Sequence, residues 1–186
     1  MYKQGDRNMK IIQYIDFKIL DFIHIYLSNS VFDYIMPKIT FLASYSLIWI
    51  VLTLIFLFIK KYREMGKGLT IGLIIDLFFT NLFLKPLFHR TRPFEINTAY
   101  NLIIKPPTDA YSFPSGHTSV SFMAAAVIYC YNEKWGIISY ALATLIGFSR
   151  LYLYVHFPTD VLCGAILGIC YGKLAYILSK NIKIIH

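Results

Sequence analysis

Apolar stretches of bilayer-crossing length follow one another along most of this chain, at about 41–59, 69–84, 116–131, 136–152 and 159–178. Crossing the hydrocarbon core takes roughly 17 to 25 such residues in a helix. The shorter stretches can do so with little tilt, or with ends running into the interface where Tyr and Trp are at home. The expected fold class is therefore all-α: a multi-pass transmembrane helical bundle with five spans. The composition agrees, with 57% hydrophobic and 15% charged residues and a mean hydropathy of +0.56, far from a soluble domain.

Residues 9–36 follow a different pattern, because Asp16, Lys18, Asp21, His24 and Asp33 interrupt the apolar residues there. An amphipathic helix lying in the interface accommodates them, with Asp16, Lys18 and Asp21 in the head groups. A sixth span is the alternative. A length of 186 residues suits one domain, divided into an amphipathic N-terminal segment over 1–40 and a helical core over 41–178. No signal-peptide cleavage pattern, internal repeat or low-complexity tract is visible, so no separate soluble domain is expected. The net charge of +8 comes without a basic stripe or a zinc-finger spacing. Anionic lipid head groups account for it, and a nucleic-acid partner does not. Cys130, Cys163 and Cys170 all fall inside apolar segments and read as small buried hydrophobes rather than a disulfide framework or a CxxC metal site.

Three charged clusters stand beside the apolar stretches: Lys85 with Arg90 and Arg92, the turn Pro114-Ser115-Gly116-His117, and the run from Ser149 to Asp160. Charge beside hydrocarbon is retained where it faces a site, a partner or water. Lys85 and Arg92 could hold a phosphate dianion, Arg with two parallel bonds; an isolated Lys or Arg at a helix end is more often a snorkelling group. Asn81 lies four residues before Lys85 and either orients it or makes an interhelical hydrogen bond.

The Pro-Ser-Gly-His turn opens a helix, and the Ser115 hydroxyl with the Ser115, Gly116 and His117 amides would attract an anion there. His117 is a proton donor at that edge or a capping His. Arg150 closes one span, and His156 and Asp160 are spaced to share a helical face. Asp160 can then fix the His156 tautomer, leaving the other nitrogen to attack phosphorus. A structural His–Asp pair and a metal site made of His117, His156 and Asp160 are the competing readings. Three cations, Lys85, Arg92 and Arg150, would repel a divalent ion and suit a phosphate.

Taken together, the pattern resembles the type 2 phosphatidic acid phosphatases, whose relatives include vanadium haloperoxidases and acid phosphatases. The family pattern is Lys, six residues, Arg-Pro; then Pro-Ser-Gly-His; then Ser-Arg, five residues, His, three residues, Asp. All of it occurs here in order, as Lys85 to Arg92-Pro93, Pro114 to His117, and Ser149-Arg150 to His156 to Asp160. The resemblance covers about 36–178. It implies an enzyme whose Lys85, Arg92, Ser115, Gly116 and Arg150 bind phosphate, whose His156 attacks it, whose Asp160 orients His156, and whose His117 protonates the leaving group and then activates water. It implies no metal and no cofactor. His89 and Arg90 lie outside the pattern, at the rim or facing head groups.

The activity so implied is hydrolysis of a lipid phosphate or diphosphate through a phosphohistidine. Candidate substrates are undecaprenyl diphosphate, phosphatidylglycerol phosphate and phosphatidic acid in a bacterial plasma membrane. A non-catalytic lipid-phosphate binder or transporter is the alternative. Lys60, Lys61, Arg63 and Lys67 form the most basic connection outside the clusters, with Lys180 and Lys183 in agreement. Such loops stay cytoplasmic, which puts the three clusters on the outer side.

Overall fold

The computed structural model describes residues 3–109 and 111–181, and Lys183 lies outside them. Every regular element among the described residues is helical. Helix α1 (Lys3–Leu27) is followed by α2 (Ser30–Leu42), so the segment 9–36 is two elements and not one. Asn29 makes the division: its side chain accepts the Val31 and Phe32 amides at 3.1 and 3.0 Å, satisfying donors that a new helix leaves orphaned.

Helix α1 also turns its polarity inside out relative to an interfacial helix. Ile11, Ile12, Tyr14, Ile15 and Phe22 are exposed, whereas Asp16 is 1% exposed and faces inward with Leu20 and Ile23. Asp21 accepts the Tyr154 hydroxyl at 3.1 Å. Lys18 alone of the three charges expected in the head groups is fully on the surface.

After α2 the chain breaks at 43–46, where Tyr45 and Ser46 take left-handed φ values of 52° and 59°. The following α3 (Leu47–Phe58) diverges from α2 by 47°. Its 12 residues reach about 18 Å, so a straight span over 41–59 is replaced by a bent pair. Trp49 ties α3 inward by donating its indole N–H to Ser121 Oγ at 3.0 Å.

Helix α4 (Arg63–Asp76) runs on through a wider π-helical segment, Leu77–Leu84, into the short α5 (Lys85–Phe88), which ends at His89 with φ 46°. Such wide turns rephase the residues that follow them and are frequent near functional sites. The short α6 (Pro93–Ile96) starts beside Arg92, whose amide is taken by Glu95 at 3.1 Å.

The remaining helices follow the expected stretches closely: α7 (Gly116–Tyr131), α8 (Glu133–Tyr152) and α9 (Pro158–Asn181). Asn132 caps α8 by accepting the Trp135 amide at 3.0 Å. Helix α7 is the centre of the bundle, packed against α9, α8 and α4, with Val120, Met123, Ala124 and Val127 buried. Small residues on α9 let the two backbones meet: a Cβ on Gly168 would lie 2.3 Å from the Ser119 carbonyl oxygen. Cys170 is exposed and Cys130 and Cys163 only half-buried, all three free, so none is the buried hydrophobe expected.

The helical run Lys60–Ile96 and helix Pro158–Asn181 are long and apolar enough to cross a membrane, and the bent pair Ser30–Leu42 with Ser44–Phe58 passes the same test jointly.

Candidate active site

The start of α7, the end of α8 and the start of α9 converge because Ser115 and Asp160 are joined through the backbone, the Ser115 amide donating to the Asp160 carbonyl oxygen at 3.1 Å. That amide is therefore occupied, and only the Gly116 and His117 amides of the three expected for an anion stay in play. The Ser115 hydroxyl shares a hydrogen bond with Thr118 Oγ1 at 2.9 Å. Gly116 lies close to two side chains: a Cβ there would stand 3.1 Å from Asn81 Oδ1, a tight contact, and 3.6 Å from Lys85 Nζ, an ordinary one.

Arg92, 1% exposed, crosses this junction. Its Nη1 donates to the Val155 carbonyl at 2.7 Å and reaches His156 Nε2 at 3.3 Å. Its Nη2 donates to the Tyr111 carbonyl at 3.1 Å and pairs with Asp109 Oδ1 at 2.9 Å. A guanidinium only donates. His156 Nε2 must therefore present its lone pair, which puts the proton on Nδ1, the nitrogen 3.5 Å from Asp160 Oδ2. At that separation the His156–Asp160 pair is aligned but not yet a hydrogen bond.

Asp160 is held by other donors. Ser112 Oγ and the Phe157 amide (2.8 Å) both donate to Oδ2, while Arg90 donates to Oδ1 at 2.5 Å. Burial first, and then the Arg92, Arg150 and Lys85 charges, push the His156 imidazole well below its ordinary value, so it is neutral. The imidazole is thus neutral and buried, and presents its lone pair among three cations.

Lys85 Nζ donates to Asp109, so one carboxylate bridges Lys85 and Arg92. Burial would raise the Asp109 carboxyl, but the Lys85 and Arg92 charges outweigh it and hold it at about 2. Arg150, 3% exposed, donates from Nη1 to Thr40 Oγ1 at 2.5 Å, and its Nε has no partner. His117 Nε2 is likewise buried without a partner.

A cavity of about 750 Å³ opens onto Lys85, Asp109, Gly116, His117 and Arg150 and extends along Pro37, Phe41 and Leu77. Among the described residues no three His, Cys, Asp or Glu side chains are grouped to hold a metal ion.

All eight residues singled out from the sequence thus meet in one region. Asp109 and Ser112, single polar residues in unremarkable surroundings, were not singled out from the sequence. Arg90, expected at the rim or facing head groups, and Asp16, expected in the head groups, instead meet each other beside Asp160.

A buried histidine among three cations at one end of a helical bundle is an arrangement suited to an anion. Residues 66–184 match the PAP2 superfamily, and the chain belongs to that family. It is 34% identical over 134 residues to an undecaprenyl-diphosphatase of Sulfolobus acidocaldarius, a match covering 69% of this chain and 63% of that one, less than two thirds of the relative's length. Among solved structures, LpxE of Aquifex aeolicus superposes with a TM-score of 0.75 at 29% identity, over 87% of this chain and 94% of that one. A transmembrane PAP2-type phosphatidylglycerolphosphate phosphatase of Bacillus subtilis gives 0.72 at 26%, over 95% and 90%.

Proposed function

We propose that this protein is a lipid phosphatase that hydrolyses a lipid phosphate or diphosphate through a phosphohistidine on His156. The observation that carries the reading is the contact of the Arg92 guanidinium with His156 Nε2 at 3.3 Å, with Asp160 behind the ring. It sets the attacking lone pair where a cation-held phosphate would sit.

In the first step Nε2 forms a bond to phosphorus as the bond to the lipid oxygen breaks. The electron pair goes to that oxygen, which takes a proton from His117. Lys85, Arg92 and Arg150, with the Ser115 hydroxyl and the Gly116 amide, hold the three equatorial oxygens, whose charge is greatest in the transition state. Asp160 stabilises the imidazolium by closing the 3.5 Å gap to Nδ1. In the second step His117 takes a proton from water, the water oxygen bonds to phosphorus, and the nitrogen–phosphorus bond breaks to give inorganic phosphate. The chemistry needs no metal.

The apolar wall of the cavity, Pro37, Phe41 and Leu77, suits the first part of a lipid tail. Undecaprenyl diphosphate and phosphatidylglycerol phosphate are the preferred substrates, following the names of the Sulfolobus and Bacillus proteins, with phosphatidic acid third. The membrane arrangement that goes with this reading is five spans in a plasma membrane. The bent α2–α3 pair forms the first and α1 packs beside them. The site faces outward, opposite the basic connection Lys60, Lys61, Arg63 and Lys67.

The test is phosphate release from a panel of these lipids in detergent. Wild type should release phosphate in EDTA and be inhibited by vanadate, a mimic of five-coordinate phosphorus. His156→Ala should lose at least about 1000-fold in kcat; an equal rate would remove the phosphohistidine step.

A further inference from the structure

Arg90 belongs to none of the three motifs, yet its guanidinium sits directly behind the His156–Asp160 pair. Nη1 donates to Asp160 Oδ1 at 2.5 Å and to Thr159 Oγ1 at 2.7 Å; Nη2 donates to Asp16 Oδ2 at 2.6 Å. Thr159 closes the circuit, its amide donating to Asp16 Oδ1 at 3.0 Å and its hydroxyl to Asp16 Oδ2 at 2.6 Å. The Phe157 ring lies under the guanidinium with its centroid 4.1 Å away. Both carboxylates are all but inaccessible to solvent.

We propose that Arg90, anchored by Asp16 of α1, is a positioning residue for the reaction: it fixes the Asp160 carboxylate so that Oδ2 faces His156 Nδ1. Asp160 can present either oxygen to the imidazole by turning about its Cβ–Cγ bond. Arg90 holds Oδ1 on the far side, and Ser112 with the Phe157 amide holds Oδ2 on the near side. The carboxylate therefore meets the imidazolium as it forms, without having to turn first.

A fork is required because one nitrogen serves each carboxylate; a Lys at this position carries the charge but offers a single point. Asp16 matters because it fixes the guanidinium from the opposite side. Without Arg90 the two buried carboxylates would lose the cation they share and keep only neutral donors, Thr159 on Asp16 and Ser112 with the Phe157 amide on Asp160. Helix α1, outside the region that carries the family motifs, thereby contributes to the site.

This inference rests on His156 being the nucleophile, so the experiment measures the two separately. Full-length wild type, His156→Ala, Arg90→Lys, Arg90→Gln and Asp16→Asn are purified in detergent. Turnover, the rate of labelled phosphohistidine formation in quenched flow and vanadate affinity are then measured for each.

Arg90→Lys and Arg90→Gln should lower kcat and the phosphorylation rate about 10- to 100-fold, with KM and vanadate Kd within about threefold of wild type. Asp16→Asn should move the same way by less, and it keeps the test open if Arg90→Gln does not fold, because the Arg90–Asp160 contact survives in it. A kcat within about twofold of wild type in both Arg90→Lys and Asp16→Asn overturns the proposal. So does a parallel loss of kcat and vanadate affinity, which would mark Arg90 as a strut for the whole pocket. A wild-type enzyme that traps no phosphohistidine, or an active His156→Ala, removes the nucleophile reading itself. A trapped phosphohistidine with unaffected Arg90 variants removes only the positioning role.

Discussion

Asp109 occupies the two cations, Lys85 and Arg92, that the proposed mechanism gives to phosphate. With its carboxyl held at about 2, it is ionised throughout the working pH range, so an incoming phosphate has to displace a charged competitor. Asp109→Asn should therefore bind vanadate more tightly. The gain should be modest, about three- to tenfold at low salt, because the side chain is 47% exposed and water screens the pair. Weaker binding would mean that Asp109 helps to build the pocket and does not compete for it. Nothing in the sequence marks this residue: a single Asp in a Pro-rich loop has no periodicity, and its partners lie 17 and 24 residues away in the chain. Lys85, Arg92, His117, Arg150, His156 and Asp160 were legible because they stand in three ordered motifs that resemble the family pattern. The geometry adds what spacing could not, namely that Nε2 is the imidazole nitrogen whose lone pair faces Arg92.

At the scale of elements, α9 positions the site by pressing on α7. Gly164 and Gly168 face backbone oxygens of α7, and a Cβ at these positions would come within 2.8 Å of the Ser115 carbonyl oxygen and 2.3 Å of that of Ser119. Backbone cannot swing aside as a flexible side chain can, so Gly168→Ala has to push the helices apart. The expected cost is about 1–3 kcal/mol, read as a lower Tm in detergent. Because the Ser115 amide is bonded to the Asp160 carbonyl across that same contact, kcat should fall as well. An unchanged Tm would show that α9 slides without penalty. Helix α1 carries the other lesson of this scale. Periodicity identifies a polar face, but not whether that face meets water or protein; with Arg90 and Thr159 supplied by the rest of the chain, Asp16 turns inward and the apolar side turns out. The separation of α1 from α2 rests on one Asn cap, and the bend at 43–46 on two left-handed residues that are not glycine, so neither shows in hydropathy.

Stability of the whole molecule should follow the neutral state of His156. The unfolded chain protonates this imidazole below its ordinary value of 6.5, and the native state does not. The unfolded state then binds more protons, so native stability declines as pH falls through and below 6.5, by up to about 1.4 kcal/mol per pH unit for this group. Thermal unfolding between pH 7.5 and 5.5 should be less pH-dependent in His156→Asn than in wild type; identical slopes would contradict the burial of a neutral ring. The proposed outward orientation has its own check at this scale. A cysteine replacing exposed Thr108 should react with an impermeant thiol reagent added to intact cells, and protection would reverse the topology. By itself the sequence determined that the chain is all-helical with apolar membrane-crossing segments, and it singled out the eight residues of the proposed chemistry, because apolar runs and ordered motifs are local signals. Only the tertiary structure decided that Asp109 bridges Lys85 and Arg92, that α1 brings Asp16 to Arg90 and Thr159, and that Arg90 stands behind Asp160. Those contacts join residues up to 143 positions apart, and a charge placed so far from its partner leaves no trace in the spacing of either.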